Sequence, residues 1–235
     1  MKQHLTEEVE YEQLNSSQAG VLTMQLLNPS SPIYNLTGTS MGNEEIRLDI
    51  LEESIVHFVH AVKTINIRVK PYGDTWVQYV EEPSVKNMEI VDFGQCVDPK
   101  TFFQDWVRIE GESVYSLEND VLYTFKLLRV PTVGNGFFFK VHHLIADGWS
   151  LSAMVNEIWA IYEKLVNPDS DVLKDTPLMH GEQWKMLKDY VDRERIYQHS
   201  RRFDRDREFW LEYFNDVKSS KHKVNPVISK RSTTR

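Results

Sequence analysis

A chain of 235 residues, 41% hydrophobic and 26% charged, can bury one sizeable core or two small ones and has an ordinary globular composition. Its net charge of -8 argues against nucleic acid as the main partner, because a surface that tracks phosphates needs a basic excess. Cys96 is the only cysteine, which excludes an internal disulfide and a cysteine metal cluster and fits a reducing cytoplasm. The segment from Met1 to Val9 is polar and acidic, without the apolar core of a signal peptide, and no later stretch reaches the length of a membrane span. A cytoplasmic, soluble protein is the expectation, with no membrane partner.

Asn15-Ser16-Ser17-Gln18 offers N-cap residues for a helix from Ala19 through Leu27, which Pro29 stops. Ile33 to Thr39 reads as a short strand. From Leu48 to Ile65 the stripe Leu51, Ile55, Phe58, Val59 and Val62 predicts an amphipathic helix. A strand follows at Asn66 to Lys70, then a turn at Pro71-Tyr72-Gly73-Asp74, whose Pro fixes one φ and whose Gly takes a positive one. Further strands are expected at Thr75 to Val80 and Met88 to Phe93, with a helix from Pro99 to Ile109. The strand Leu122 to Val130 should form an antiparallel hairpin with the strand beginning after Asn135-Gly136, a pair that favours a tight turn. Glu182 to Phe214 is strongly helical, with Trp184, Leu187, Tyr190, Val191, Tyr197, Phe203, Phe209, Trp210 and Phe214 as its apolar positions. Lys218 to Arg235 is polar and basic without a period and reads as a linker or disordered tail.

The stretch from Phe137 to Ser150 concentrates the chemistry. Its apolar run Phe137 to Val141 reads as a buried strand that ends in His142 and His143. Asp147-Gly148 suits a sharp bend, and Ser150 then caps a helix carrying Leu151, Met154, Val155, Ile158 and Ile161 at helical spacing. A strand, loop and helix in this order hold side chains at the end of a rigid element, where catalytic groups commonly sit. Successive strand residues face opposite sides, so His142 and His143 should not share a task.

The string His142-His143-Leu144-Ile145-Ala146-Asp147-Gly148, followed by Trp149-Ser150, resembles the HHxxxDG signature of nonribosomal peptide synthetase condensation domains, members of the chloramphenicol-acetyltransferase-like group. Leu14 to Gln18 and Pro32 to Asn35 resemble the opening of such a domain, although the usual Arg-Leu-Trp after the Gln is absent. Ile67-Arg68-Val69 matches only the Arg and its apolar neighbour of a further motif, and Asp189-Tyr190 with Arg207 to Trp210 resembles the segment that follows the signature. The likeness runs from about Leu14 to about Trp210 and falls within the family's N-terminal half.

The resemblance implies an α+β sandwich: a chloramphenicol-acetyltransferase-like lobe with a mixed or largely antiparallel sheet flanked by helices. It places the lobe at residues 1–216 and the tail at 217–235. It implies amide formation between an acyl thioester donor and an aminoacyl acceptor, both carried on the 4'-phosphopantetheine of upstream and downstream carrier proteins, with no cofactor or metal of the domain's own. His143 would be the catalytic residue, as base or as positioner of the amine and stabiliser of the tetrahedral intermediate. Gly148 would be catalytic if its N–H faces the developing oxyanion, and otherwise a turn residue. His142, Asp147 and Arg68 would be structural, with Arg68 paired to Asp147. The C-terminal lobe is the missing partner, so this chain alone should be an incomplete and inactive half. The alternatives are a related acyltransferase using acyl-CoA and a non-catalytic module that docks carrier proteins.

Overall fold

The computed structural model describes residues 9–83, 85, 87–169 and 182–219. The chain divides into two compact units, Met1–Val191 and Asp192–Arg235, and the signature stretch lies in the first. That unit has a small antiparallel sheet in which Glu12–Gln13 (β1), Thr75–Val80 (β4) and Ile67–Tyr72 (β3) lie side by side. Its larger sheet sets Asn35–Met41 (β2), Gly134–His142 (β7), Tyr123–Val130 (β6) and Ile90–Asp92 (β5) in that order. β7 runs antiparallel to both neighbours, whereas β5 pairs parallel with β6, so the larger sheet is mixed. Together with the helices this gives the α+β class expected from the sequence.

Alternation along β7 divides the core. Phe137, Phe139 and Val141 face Leu51, Ile55 and Phe58 of the helix Leu48–Ala61 (α2) and Met154 and Ile158 of Gly148–Val166 (α4). Phe138 faces the other way, against Phe93, Val130 and, on Pro99–Glu112 (α3), Phe103 and Trp106. Phe137 and Phe138 are fully buried, and each such ring contributes about 1.5–3 kcal/mol. A third cluster brings Leu22 of Ser16–Leu27 (α1) together with Val69 of β3, Leu122 and Leu144. It seats the residue after His143 in the core.

Several expected boundaries move. Asn135 and Gly136 lie inside β7, and the turn is made by Pro131–Val133, with Thr132 at φ 68°. Gly136 is needed for close approach: a Cβ there would sit 2.1 Å from the Ser40 carbonyl oxygen. β3 continues through Pro71 and Tyr72 because it is an edge strand, where a missing N–H costs no ladder bond, and the bend falls at Gly73, φ +57°. α2 stops at Ala61, since Asn66 Nδ2 donates to the Val59 carbonyl at 2.7 Å and satisfies a carbonyl of its last turn.

The N-cap of α4 is Asp147 rather than Ser150, whose N–H donates to the Asp147 carboxylate. The long helix expected from 182 is two helices, Gln183–Gln198 (α5) and Arg201–Ser219 (α6). Ser200 starts the second, its Oγ accepting the Phe203 N–H at 3.2 Å. Of the apolar positions named for that stretch, Trp184 and Val191 are buried, while Tyr190, Tyr197, Phe209, Trp210 and Phe214 are exposed. α6 runs past residue 216 to Ser219, so the expected lobe boundary falls inside a helix. Residues 220–235 of the expected tail lie outside the described residues.

Candidate active site at the end of β7

Pairing with β2 and β6 carries β7 to His142, and from there separate contacts fix each backbone group. The His142 N–H donates to the Leu122 carbonyl and the His143 N–H to the Tyr34 carbonyl, both at 2.8 Å. The Ile145 N–H turns back onto the His142 carbonyl at 3.1 Å. Leu144 is buried while His143, one residue before it, is exposed, so the loop anchors itself on one side chain and presents the other. The Tyr34 ring meets the His143 ring edge-on, with centroids 6.4 Å apart.

His142 is 2% exposed. Its Nδ1 accepts the Leu144 N–H at 3.1 Å, and an N–H can only donate, so the ring proton sits on Nε2, which donates to Gln25 Oε1 at 3.3 Å. Burial, and secondarily the neighbouring His143, push its pKa down to about 4. His142 is therefore neutral near neutral pH, and both its nitrogens are occupied.

Asp147 accepts the Ser150 N–H at 2.8 Å and the Ser150 hydroxyl at 2.7 Å. The Ser150 backbone, then the Ser150 hydroxyl, then the nearby His143 hold its carboxyl below the usual aspartate value. Arg68 is not its partner: the Arg68 guanidinium donates to Glu81 Oε2 at 2.8 Å. Register explains this, because Ile67 pairs with Val80, so Arg68 and Glu81 leave the same end of the β3–β4 ladder. The expected Arg68–Asp147 pair is replaced by a ladder-end pair and a helix cap.

Gly148 is the first residue of α4, with its φ outside the left-handed region, and a Cβ there would meet nothing within 4 Å. No bend or close approach requires glycine there. What the position supplies is an N–H in the first helical turn, where no intrahelical acceptor exists and the helix dipole favours negative charge. Trp149, 86% exposed, stands beside it.

The site also has support that the sequence did not single out. Gln25, Gln78 and Glu81 were not candidates, although Gln18 and Gln25 share one face of α1 with buried Leu22, and polar residues on a buried stripe are a readable signal. Among the described residues no three His, Cys, Asp or Glu side chains come together to hold a metal. No helix among them is long and apolar enough to cross a membrane.

An exposed imidazole at a rigid strand end, a neutral buried imidazole behind it and a helix N-terminus beside it can serve acyl transfer. A model of the condensation domain family matches residues 9–227. The chain belongs to the condensation domain family. The isonitrile lipopeptide synthase of Streptomyces coeruleorubidus is 25% identical over 208 residues, covering 86% of this chain and 13% of that protein. Surfactin synthase subunit 1 of Bacillus subtilis (strain 168) is 25% identical over 214 residues, covering 89% of this chain and 6% of that one.

Among solved structures, the first condensation domain of the calcium-dependent antibiotic synthetase, in complex with a substrate analogue, superposes with TM-score 0.75 and 19% identity, covering 88% of this chain and 48% of that one. The starter condensation domain of rhizomide synthetase RzmA gives TM-score 0.72 and 19% identity, covering 87% of this chain and 50% of that one. The chain thus spans about half the length of these solved condensation domains and only a small part of the two synthases.

Proposed function

We propose that this chain is the histidine-bearing half of a cytoplasmic condensation domain that joins two carrier-protein-bound groups through an amide. The donor is an acyl, aminoacyl or peptidyl thioester and the acceptor an aminoacyl thioester, each on a 4'-phosphopantetheine arm. The acceptor nitrogen attacks the donor carbonyl carbon, the C–N bond forms, the C–S bond breaks, and the donor carrier leaves as its thiol. His143 takes the proton from the attacking amine or holds that amine in line, and the thiol leaves with one proton. The Gly148 N–H, in the first turn of α4, faces the developing oxyanion. His142 and Asp147 act through the backbone they hold, and Arg68 supports the neighbouring ladder.

The observation that carries this is the exposure of His143 beside a capped helix N-terminus while His142, next in sequence, is buried and neutral. Upstream and downstream carrier proteins are the partners, together with the half of the fold that the longer relatives possess. The test is a condensation assay with loaded donor and acceptor carriers, run on the domain completed by its second half. His143→Ala should lower turnover by about 100-fold or more, in the range of a lost acid–base group. Undiminished turnover in His143→Ala would remove His143 from the chemistry. Equal turnover of an acyl-CoA donor and a carrier-bound donor would favour the related acyltransferase instead, and a completed domain that binds carriers without forming product would favour a docking module.

A further inference from the structure

Two glutamines on α1, Gln18 and Gln25, hold the two peptide groups that follow His143. Gln25 is 4% exposed, and its Nε2 donates to three carbonyls of the α1–β2 connection, Asn28 and Ser31 at 3.1 Å and Pro29 at 3.4 Å. Those bonds orient the amide so that Oε1 faces His142 Nε2. The His142 ring is thereby locked with Nδ1 as acceptor, and Nδ1 holds the N–H of the His143–Leu144 peptide.

Gln18 is 8% exposed and Gln78 is fully buried. They exchange reciprocal amide bonds at 2.8 and 3.0 Å, and Gln78 Nε2 also donates to the Gln13 carbonyl of β1 at 2.8 Å. The Gln18 Oε1 accepts the Asn15 N–H at 3.0 Å, closing the α1 capping box, and the Gln18 Nε2 donates to the Leu144 carbonyl at 3.2 Å. Both polar atoms of Leu144 are therefore held from α1, the carbonyl directly and the N–H through His142.

With the His143 N–H fixed on the Tyr34 carbonyl, both peptide planes at the His143 Cα are set, which fixes the direction of its Cα–Cβ bond. Only two side-chain torsions remain to place the ring. Burying four polar side chains behind one exposed imidazole is costly unless every partner is made, and here the chain of bonds runs from α1 to the loop without a break.

We infer that Gln18 and Gln25 are positioning residues for His143, taking His143 as the reacting imidazole proposed above, and that the buried face of α1 is the device that aims it. Neither residue touches substrate. Gln25, through His142, sets the His143–Leu144 peptide and Gln18 sets the next one, after Leu144, and a misplacement of about 1 Å at a reacting group can cost about 100-fold in rate.

The test uses Gln25→Leu, Gln18→Leu and the paired Gln18→Leu/Gln78→Leu, in which both members of the amide pair become apolar and packing is kept if a single variant fails to fold. Long-range 1H–15N spectra of this chain report the tautomer of His142 and the environment of the His143 ring. Gln25→Leu should release the fixed His142 tautomer and shift the His143 ring signals, and either change at Gln18 should shift the His143 signals. In the domain completed by its second half, kcat should fall about 100-fold with KM for both carriers within about twofold. Folded variants with unmoved His143 signals and undiminished kcat would overturn the inference, as would an equal rise in KM that accounts for the whole loss. If His143 is not the reacting imidazole, His143→Ala leaves turnover intact, and if the role is not amide formation the completed domain yields no product; in either case the ring spectra still report the clamp, so the two failures are distinguishable.

Discussion

At the scale of single residues, a proton bound to His142 must displace either the Leu144 N–H or the burial that keeps the ring neutral. Its folded value of about 4 lies below the ordinary 6.5, so the unfolded chain binds the proton more tightly. The contribution is fully present above about pH 6.5 and is lost as pH falls through about 4, a span worth about 3 kcal/mol. Urea midpoints of the wild type should therefore drop between pH 6.5 and 4.5, and those of His142→Gln should be much flatter over the same window. Parallel slopes for the two proteins would contradict the assignment. Asp147, whose carboxyl is already held below 3.8, gives its own loss only at lower pH.

The Asp147 cap and the Arg68–Glu81 pair make a second prediction at this scale. Asp147→Ala should cost about 0.5–2 kcal/mol as a lost N-cap, and Asp147→Asn should recover most of it. In double-mutant cycles, Arg68 and Asp147 should add within about 0.5 kcal/mol, while Arg68 and Glu81 should couple. Strong coupling of Arg68 to Asp147 would mean that the guanidinium bridges to the helix cap. The sequence made the two histidines and the acidic cap visible because they are local to one strand, loop and helix. It could not show that Arg68 leaves its ladder beside Glu81, since that depends on β3–β4 register.

Elements were legible where periodicity and burial coincide. β4 matches its expected span residue for residue, whereas α1 begins at Ser16, three residues before the expected Ala19, because Asn15, one of several possible caps there, closes a capping box with Gln18. The Asn135-Gly136 pair misled because its glycine serves a close strand approach and its asparagine donates to the Glu44 and Ile46 carbonyls, neither of which is a turn requirement. In α6 the aromatic residues follow helical spacing without being buried: Phe209 stacks on Tyr213 and Trp210 on Phe214, yet all four are more than half exposed. Phe137→Ala should accordingly cost about 3–5 kcal/mol in this chain, and Trp210→Ala should stay within about 0.5 kcal/mol. Denaturant midpoints at constant slope decide it, and a large loss from Trp210→Ala would show that the ring is covered.

The whole molecule adds a limit that no residue or element carries alone. This chain covers about half of the two solved condensation domains compared above, and its His143 is exposed at the end of β7. A catalytic imidazole open to bulk water loses much of its advantage, because electrostatic help is weakened by solvent and the two thioesters are not held in line. Alignment alone accounts for about 7–11 kcal/mol of barrier reduction in well-oriented reactions. We therefore expect this chain by itself to fold, to give the His142 and His143 ring signals of the intact site, and to form no amide above background from loaded donor and acceptor carriers. Completing it with the second half, in one polypeptide or as a separate protein, should restore turnover that His143→Ala abolishes. Equal turnover by the short and completed forms, lost in both with His143→Ala, would show instead that one half suffices and that alignment is supplied by the carriers themselves.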